Sequence, residues 1–264
     1  MTAPRARLDA ELVRRGLARS REQAGELVAA GLVAVAGQRA AKSATQVARD
    51  APITVADPEE PGYVSRGGHK LAGALAAFGG LVVAGRNALD AGASTGGFTD
   101  VLLRAGAAHV VAADVGYGQL AWSLRTDPRV TVMDRVNVRT LEQVSPVPDL
   151  VVADLSFISL TLVLPALVAC ATPDADFVLM VKPQFEVGKG RVGAGGVVRE
   201  TTDRSAAVKK VAVAAGQLGL GVQGVTASPL PGAAGNVEYF VWLRRGAPPL
   251  DEDELRRAIQ EGPS

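Results

Sequence analysis

Several short apolar segments in the middle of the chain each end at a charged residue, and this repetition constrains the fold more than any other feature. The segments end at Asp90, Asp114, Asp134, Asp154 and Lys182. Continuous apolar runs of this length are typical of strands that are buried on both faces of a parallel sheet. Ligands of open parallel sheets bind outside the carboxyl ends of the strands, so we expect Asp90, Asp114, Asp154 and Lys182 to share one edge. The sequence therefore predicts an α/β fold with a ligand crevice.

The first segment leads into a loop of small residues that suits a nucleotide cofactor. Between Asp90 and Asp100 the chain is Ala-Gly-Ala-Ser-Thr-Gly-Gly-Phe-Thr, and a helix is expected to begin at Phe98. Glycine lets a cofactor approach the backbone closely. Asp114 stands where a doubly wound fold places the acid that binds ribose hydroxyls, and Asp134 is expected near an adenine edge. The predicted cofactor contacts are Asp90, Gly92, Ser94, Thr95, Gly96, Gly97, Phe98, Asp114 and Asp134.

The composition agrees with an α/β enzyme that binds a nucleotide cofactor, and it excludes several other classes of protein. With 264 residues, 48% of them hydrophobic, the chain can bury a full α/β core and carry a small extra domain. A single cysteine, Cys170, excludes a disulfide framework and a thiolate metal cluster. Two distant histidines, His69 and His109, argue against a catalytic zinc, and no metal is expected. The first residues lack a signal-peptide core and the apolar run 155–171 is short for a bilayer span, so we predict a cytoplasmic protein.

The first 49 residues have a character of their own. They carry nine Arg or Lys and four Asp or Glu, a local net charge of +5 within an overall charge of +1. Charge alone leaves RNA binding and an ordinary solvated helical face equally open. The predicted elements are a helix over residues 8–15, a stop at Gly16, a helix capped by Ser20 that ends at Ala30, a strand over 32–35 and a turn at Gly37.

This region resembles the S-four-type RNA-binding module, a small α+β unit. The resemblance rests on the run Arg-Leu-Asp-x-x-Leu-Val-Arg-Arg-Gly-Leu-Ala-x-Ser-Arg-x-x-Ala-x-x-Leu-Val from Arg7, on Gly-x-Val-x-Val-x-Gly from Gly31, and on Lys42-Ser. It implies a helix-turn-helix whose basic residues contact structured RNA, while Arg14 and Arg15 are alternatives that brace the helix instead. The implied RNA contacts are Arg5, Arg7, Arg19, Arg21 and Lys42.

From residue 65 onward the chain resembles the FtsJ-like methyltransferases, and as a whole it is similar to the TlyA family. The resemblance implies S-adenosylmethionine as cofactor, ribosomal RNA or ribosomal subunits as partner, and 2′-O-methylation of cytidines in both subunit rRNAs. The chain departs from the family at Pro61, where a basic residue usually stands two positions before an aromatic one, here Tyr63. The motifs that carry the likeness are Ser-Arg-Gly-Gly-His-Lys70, the loop from Asp90, Asp154-Leu-Ser-Phe-Ile-Ser, Val-Lys182-Pro-Gln-Phe-Glu and Gly-Asn-Val-Glu238.

Together these observations predict two domains, and they do not decide the oligomeric state. Residues 183–200 are expected to form a mobile substrate lid or a disordered loop. The last two strands are expected over residues 221–227 and 237–242. The predicted organisation is an RNA-binding domain in residues 1–60, a linker in 61–66, a Rossmann-like seven-stranded methyltransferase domain in 67–246 and a C-terminal tail or helix in 247–264.

Lys70, Asp154, Lys182 and Glu238 are the predicted catalytic residues. A ribose hydroxyl is a very weak acid, so methyl transfer to it needs help with the proton and positive charge near the developing alkoxide. Lys182 acts as the base if burial and the neighbouring cation Lys70 favour its neutral amine, and as a charged clamp otherwise. Asp154 and Glu238 would orient the two lysines. Phe157 either stacks on the substrate base or, as we expect, packs internally.

Other functions compete with this interpretation. A dinucleotide oxidoreductase uses a similar sheet, but the run from Gly92 to Gly97 does not match G-x-G-x-x-G, and such an enzyme needs no RNA module. A membrane-active haemolysin-type protein would need a basic amphipathic helix with a broad aromatic face, whereas aromatics make up 4% of the chain. A methyltransferase acting on another RNA also remains open. Lys70 and Glu238 taken singly are more often surface residues, and only the joint pattern predicts a site.

Overall fold

The computed structural model describes residues 5–29, 31–55, 62–232 and 234–263, except for the Lys189 side chain. The predicted helix end at Ala30 and the predicted linker start at Pro61 lie outside these residues. The chain divides into two compact units, Met1–Gly62 and Tyr63–Ser264.

The first unit packs two helices with short strands around a small apolar core. Gly16 ends the first helix with φ +72°, and the Ser20 hydroxyl accepts the Gln23 N–H at 3.1 Å as the N-cap of the second, as predicted. The core includes the fully buried Leu8 and Leu12. Strand β1 pairs with β4, and β2 lies between β3 and β5. The elements are β1 (Arg5–Arg7), α1 (Leu8–Arg14), α2 (Arg21–Ala29), β2 (Val33–Val35), β3 (Gln38–Arg39), β4 (Gln46–Ala48) and β5 (Ile53–Val55).

The second unit alternates strands and helices. Each predicted apolar segment forms a strand, with ends that differ from the expectation by at most three residues. The elements are α3 (Arg66–Ala77), β6 (Asn87–Ala91), α4 (Gly97–Arg104), β7 (His109–Asp114), α5 (Trp122–Arg125), β8 (Val130–Asp134), β9 (Leu150–Ala153), α6 (Leu164–Cys170), β10 (Asp176–Val181), α7 (Pro183–Glu186), α8 (Thr201–Gln217), β11 (Leu220–Ala227), β12 (Tyr239–Arg245) and α9 (Glu252–Glu261).

These strands form one seven-stranded sheet in the order β11-β12-β10-β9-β6-β7-β8, which confirms the predicted α/β class. Strand β12 runs antiparallel to both of its neighbours, and the other pairs are parallel. Strand β6 is flanked by β7 on one side and β9 on the other, so the strand order reverses there. A reversal of this kind opens a crevice at the carboxyl ends of the strands, where ligands of doubly wound sheets bind.

Apolar layers cover both faces of the sheet because successive strand residues point to opposite sides. On one face, Leu89 and Val151 belong to a core that continues into α6, α8 and α9. On the other face, Ala88 and Leu150 belong to a core that continues into α3 and α4. Full burial of each large aliphatic side chain contributes about 1.5–3 kcal/mol, so this double layer fixes the strand ends that carry the charged residues.

Three segments differ from or refine the sequence predictions. Residues 183–200, expected as a lid or a disordered loop, contain α7 and two short 3₁₀ turns at Lys189–Arg191 and Ala194–Gly196. The apolar run 155–171 forms a 3₁₀ turn, Leu160–Leu162, and helix α6. The C-terminal segment contains α9, capped by Asp251. In the described part of the chain no helix is both long and apolar enough to span a membrane.

Candidate active site

The charged residues that end the strands lie along one edge of the sheet, as the sequence predicted. Asp114 and Asp134 are the last residues of β7 and β8 and are register partners. Asp154 and Lys182 directly follow β9 and β10. Asp90 lies one residue before the end of β6.

Two lysine–carboxylate pairs form in this region. The Lys182 Nζ lies 2.6 Å from Asp154 Oδ1 and donates to Ser156 Oγ at 3.0 Å. The Lys70 Nζ, from α3, donates to Glu238 Oε2 at 2.5 Å. The two lysine side chains are similarly buried, with 11% of Lys70 and 10% of Lys182 exposed. The carboxylates differ, because the Glu238 side chain is 3% exposed and that of Asp154 is 24% exposed. The four predicted catalytic residues therefore form two separate ion pairs, Lys182 with Asp154 and Lys70 with Glu238.

Lys70 and Asp154 face the same cavity beside the glycine-rich loop. This cavity has a volume of about 230 Å³ and also includes Ser65, Arg66, Thr95 and Pro231 in its walls. A second cavity of about 550 Å³ shares Gly92, Ser94 and Asp154 with the first. The second cavity extends along Asp114, Val115, Gln119, Val136, Asn137, Val138, Arg139, Leu155, Ser156, Phe157 and Ile158, among others. The two form neighbouring parts of one groove, which has the size of a small-molecule site.

Glycines in the loop are required by the protein's own packing. Gly92 has φ +87°, and a Cβ there would come within 2.6 Å of the Asp154 backbone oxygen. A Cβ at Gly97 would come within 2.3 Å of Ser65 Oγ and 2.7 Å of the Gly68 nitrogen. The sequence prediction attributed these glycines to close approach of a cofactor. At these two positions the nearest atoms belong to neighbouring loops, so glycine brings Asp154 and the start of α3 against the cofactor loop.

Asp114 is oriented by backbone donors at the cavity wall. Its Oδ2 accepts the Ser94 N–H at 2.8 Å and its Oδ1 accepts the Gly116 N–H at 2.7 Å. Each carboxylate oxygen has two lone pairs, so both retain capacity for a sugar hydroxyl. Gln119 lines the same wall.

Asp134 has a different environment from Asp114. Its Oδ2 lies 2.6 Å from Arg125 Nη2, and this hydrogen bond holds the pKa of Asp134 below its usual range. Within the described residues, Asn137 and Val138, not Asp134, line the cavity beyond β8. Asp134 thus anchors α5 to β8, and its predicted contact with an adenine edge stays a prediction.

Asp90 is fully buried beneath the loop. The Thr99 hydroxyl donates to its Oδ2 at 2.7 Å, whereas its Oδ1 has no hydrogen-bond partner in the described residues. Burial raises the pKa of Asp90 to about 7. The described lining of the two cavities does not include Asp90, so it connects β6 with α4 and acts on the loop from beneath.

Phe157 departs from the packing that the sequence led us to expect. Its side chain is 91% exposed and its backbone is left-handed, with φ +63°. The ring centroid lies 5.2 Å from that of Phe185, and Phe157 lines the larger cavity next to Ser156. A left-handed conformation is rare for a bulky residue, and strain of this kind clusters at functional sites. The ring is therefore presented to solvent at the mouth of the groove.

The sequence did not single out Ser156, Gln119 or Asn137 as site residues. Ser156 follows Asp154 by two residues, and this spacing next to a strand end was the available signal. Gln119 and Asn137 reach the groove through the folding of loops, which leaves no periodic pattern in the sequence.

In the first unit, all five predicted RNA-contact residues are exposed. Arg7 and Arg21 lie 2.8 and 3.1 Å from Asp9, and the hydrogen bond from Arg7 holds the pKa of Asp9 well below its usual range. Their guanidinium groups thus converge on one buried carboxylate.

Arg14 and Arg15 fit the bracing alternative. Both pair with the buried Glu11 and lower its pKa to about 2, with Arg14 having the larger effect. Arg15 also donates to the backbone oxygens of Ala51 and Arg49, at 2.8 Å each.

Comparisons with known proteins agree with this architecture. The profile of the FtsJ-like methyltransferases matches residues 63–245, and that of the S4 domain matches residues 6–53. The chain is 62% identical over 269 residues to the 16S/23S rRNA (cytidine-2′-O)-methyltransferase TlyA of Mycobacterium tuberculosis, covering 99% of this chain and 100% of that protein. It is 35% identical over 181 residues to the 23S rRNA (cytidine-2′-O)-methyltransferase TlyA of Campylobacter jejuni, covering 68% of this chain and 70% of the other. A solved Streptococcus thermophilus protein that bears the name hemolysin has a TM-score of 0.73 and 39% identity, with 98% of both chains covered.

Proposed function

Since the chain belongs to the FtsJ-like methyltransferase family, we propose that it methylates the 2′-hydroxyl of cytidines in ribosomal RNA. The observation that carries the proposal is that one member of each ion pair lines the groove beside the glycine-rich loop: Lys70 of the Lys70–Glu238 pair and Asp154 of the Lys182–Asp154 pair. The match with the relative from M. tuberculosis covers both units, so the proposal extends to ribosomal RNA as the substrate.

The residues of the groove fit S-adenosylmethionine. The Asp114 carboxylate, held by two backbone N–H groups, suits the two hydroxyls of its ribose. Val115 and Val138 supply apolar surface, and Asn137 supplies an amide, for an adenine ring. When bound, S-adenosylmethionine supplies a methyl group on a positively charged sulfur. Contacts from Gly92, Ser94, Thr95, Gly96, Gly97 and Phe98 belong to the same proposal.

The proposal assigns the ribose hydroxyl to Lys182, because its two partners, Asp154 and Ser156, line the groove. An ammonium group has three donors, and two of those of Lys182 are directed to Asp154 and Ser156. The third would be directed to the substrate hydroxyl and orient its oxygen towards the methyl group, and the hydroxyl proton would pass to water after the transfer. Asp154 balances the charge and fixes the direction of Nζ. This arrangement supports the charged-clamp role, and a pH–rate profile separates it from the base role.

Lys70 and Glu238 complete the polar side of the groove. Glu238 is 2% exposed and lies beside Gly232, whose Cβ would come within 2.6 Å of its carboxylate. Lys70, held by this buried carboxylate, lines the same cavity as Asp154, and we propose that its charge attracts the phosphates next to the target ribose. Phe157 stacks on the target base at the mouth of the groove, because an exposed ring can cover an unstacked base.

Methyl transfer to ribosomal subunits tests the proposal. Radiolabelled methyl groups from S-adenosylmethionine would be measured on unmodified small and large subunits, with the wild type, Lys182→Ala and Lys209→Ala in parallel. Lys209 pairs with Glu252 on the surface and serves as the matched lysine control. We expect the loss of Lys182 to lower the rate by about 10²- to 10⁴-fold and the control to retain activity.

The position of the label decides the chemistry and the substrate. Primer extension at low nucleotide concentration detects 2′-O-methylation as a stop. Stops at cytidines of both subunits support the proposal. Label on a base contradicts the ribose assignment, and wild-type label on neither subunit contradicts the ribosomal substrate. Label on the large subunit alone restricts the target to that of the C. jejuni relative.

A further inference from the structure

The loop after β7 and the first residue of α5 present aromatic side chains to solvent at the edge of the sheet that carries the groove. Tyr117 is 67% exposed and Trp122 is 76% exposed. Phe157 is the other strongly exposed aromatic side chain, and it belongs to the groove itself. All eleven aromatic residues lie within the described ranges, and the other eight are buried or partly buried. Such exposure in adjacent loops is typical of a binding surface.

The backbone of this loop is tied down on two sides. The Ala121 N–H donates to the Thr95 oxygen at 3.1 Å, within the cofactor loop. The Arg135 N–H, from the loop after β8, donates to the Gly116 oxygen at 2.9 Å. Neighbouring elements therefore hold the backbone of the segment that carries the two rings.

Positive charge accompanies the rings. The Arg135 guanidinium lies 4.4 Å from the centroid of the Tyr117 ring. Arg135 and Arg139 are exposed, and among the described residues neither forms a salt bridge, whereas nearby Arg125 pairs with Asp134. The Arg135 guanidinium beside the Tyr117 ring, together with the exposed Arg139, complements a polyanion with flat rings.

We infer that Tyr117, Trp122, Arg135 and Arg139 form a stacking surface that binds unpaired nucleotides flanking the target ribose. Aromatic rings and guanidinium planes stack on unstacked bases, and the positive charges attract the phosphates between them. Arg139 also lines the larger cavity together with Asp154, so the surface is continuous with the groove. The inference rests on the proposed RNA substrate. It adds a contact area on the catalytic unit to the one implied for the S4 domain.

Intrinsic fluorescence offers a direct test because the chain has two tryptophans in opposite environments. Trp242 is 8% exposed and donates to Asp176 at 2.8 Å, so quenching by added RNA reports on Trp122. The full chain would be titrated with a short unstructured cytidine-containing RNA. We expect RNA to quench the fluorescence of the wild type. We expect Tyr117→Ala and Trp122→Ala to bind the RNA about tenfold more weakly, as measured by anisotropy. Arg135→Gln should lower the salt slope of binding by about one.

Controls separate this surface from the cofactor site and from folding. Val213→Ala, at an exposed position on α8, should leave RNA binding unchanged. S-adenosylmethionine binding by calorimetry and the melting temperature should match the wild type in the Tyr117 and Trp122 variants. Unchanged RNA binding in these variants overturns the inference, as does loss of cofactor binding, which would assign the loop to the cofactor. Failure of the wild type to methylate subunits while RNA still quenches Trp122 contradicts the proposed function and leaves the surface standing.

Discussion

The Glu186 carboxylate accepts a hydrogen bond from the Ser159 hydroxyl at 2.6 Å, and this contact connects the loop after β9 with the helix after β10. The other carboxylate oxygen accepts the Leu160 N–H at 2.7 Å. Lys210, from α8, lies 3.3 Å from the same carboxylate and donates to the Glu186 backbone oxygen at 2.8 Å. The two connected segments carry Asp154 and Lys182, so Glu186 helps to fix the distance between those two residues.

Replacing Glu186 should therefore impair the reaction without weakening cofactor binding. Glu186→Ala leaves the buried Leu160 N–H and the partly buried Ser159 hydroxyl without their acceptor and allows the loops to separate. A misplacement of 1 Å costs about 10²-fold in rate. We expect kcat to fall by about that factor in a methyl-transfer assay, with little change in the Kd of S-adenosylmethionine. Glu186→Gln keeps an acceptor for Leu160 and should restore part of kcat.

A variant with a matched stability loss distinguishes positioning from simple destabilisation. Val208→Ala removes two methyl groups from a fully buried position on α8. It should lower the melting temperature while kcat stays near the wild-type value. Equal losses of kcat in Val208→Ala and Glu186→Ala at equal stability would contradict the positioning role.

The Lys70–Glu238 pair predicts an unusual pattern of stability and activity. Lys70→Met leaves the carboxylate of Glu238 buried and unpaired, which costs about 3–5 kcal/mol of unfolding free energy. The double variant Lys70→Met, Glu238→Gln removes both charges and should recover most of that stability, as measured by denaturant unfolding. Activity should stay low in both. Lys209→Met, which breaks an exposed pair, should change stability by about 0.5 kcal/mol or less.

The role of the Lys70–Glu238 pair in the reaction requires that stability recovers in the double variant while methyl transfer does not. If the double variant regains stability and methyl transfer together, the pair is a structural feature and its role in the reaction is wrong. If neither recovers, the pair contributes packing that the substituted side chains do not replace.

The strand-end charges could be predicted from the sequence because they depend on local pattern. A buried parallel strand is a continuous apolar run, and Asp114, Asp154 and Lys182 each end such a run. The pairing of Lys70 with Glu238 could not be predicted from spacing, since 168 residues separate them. Only the packing of α3 against the segment before β12 brings them together, and this depends on tertiary contacts along the whole unit.

The short strands of the first unit and the exposure of single aromatic rings also could not be predicted from the sequence. In the first unit β1, β3, β4 and β5 span two or three residues each, too few for an alternation of apolar and polar residues to show. Phe157 was expected to pack because aromatic residues usually do. Its exposure follows from a left-handed backbone at the turn after β9, which propensity does not reveal.

Asp90 predicts a pH dependence of stability. Its folded pKa, raised to about 7 by burial, exceeds the unfolded value of about 3.9, so the folded state binds its proton more tightly. The stability linked to this proton is present below about pH 4 and is lost as the pH rises through about 7. Asp90→Asn imitates the protonated form. Its melting temperature should fall less than that of the wild type between about pH 5 and pH 8.

The same variant tests whether Asp90 contacts the cofactor. If Asp90 acts only from beneath the loop, Asp90→Asn binds S-adenosylmethionine with wild-type affinity in calorimetry. A large loss of affinity with an unchanged pH profile would instead support the direct contact that the sequence predicted.

Gly92 should be intolerant of alanine because of the Asp154 backbone and not because of its φ angle alone. Gly85 is the matched control: its φ is +78°, close to the +87° of Gly92, and a Cβ there meets nothing within 4 Å. Gly85→Ala should cost about 1–2 kcal/mol of stability and leave methyl transfer unchanged. Gly92→Ala adds a contact of 2.6 Å with the Asp154 oxygen, which displaces Asp154 relative to the cofactor loop. Its rate should fall by about 100-fold at a temperature where both variants are folded. Equal activity in the two variants would show that the loop can shift without moving Asp154, and the proposed coupling of the loop to the Lys182 pair would be wrong.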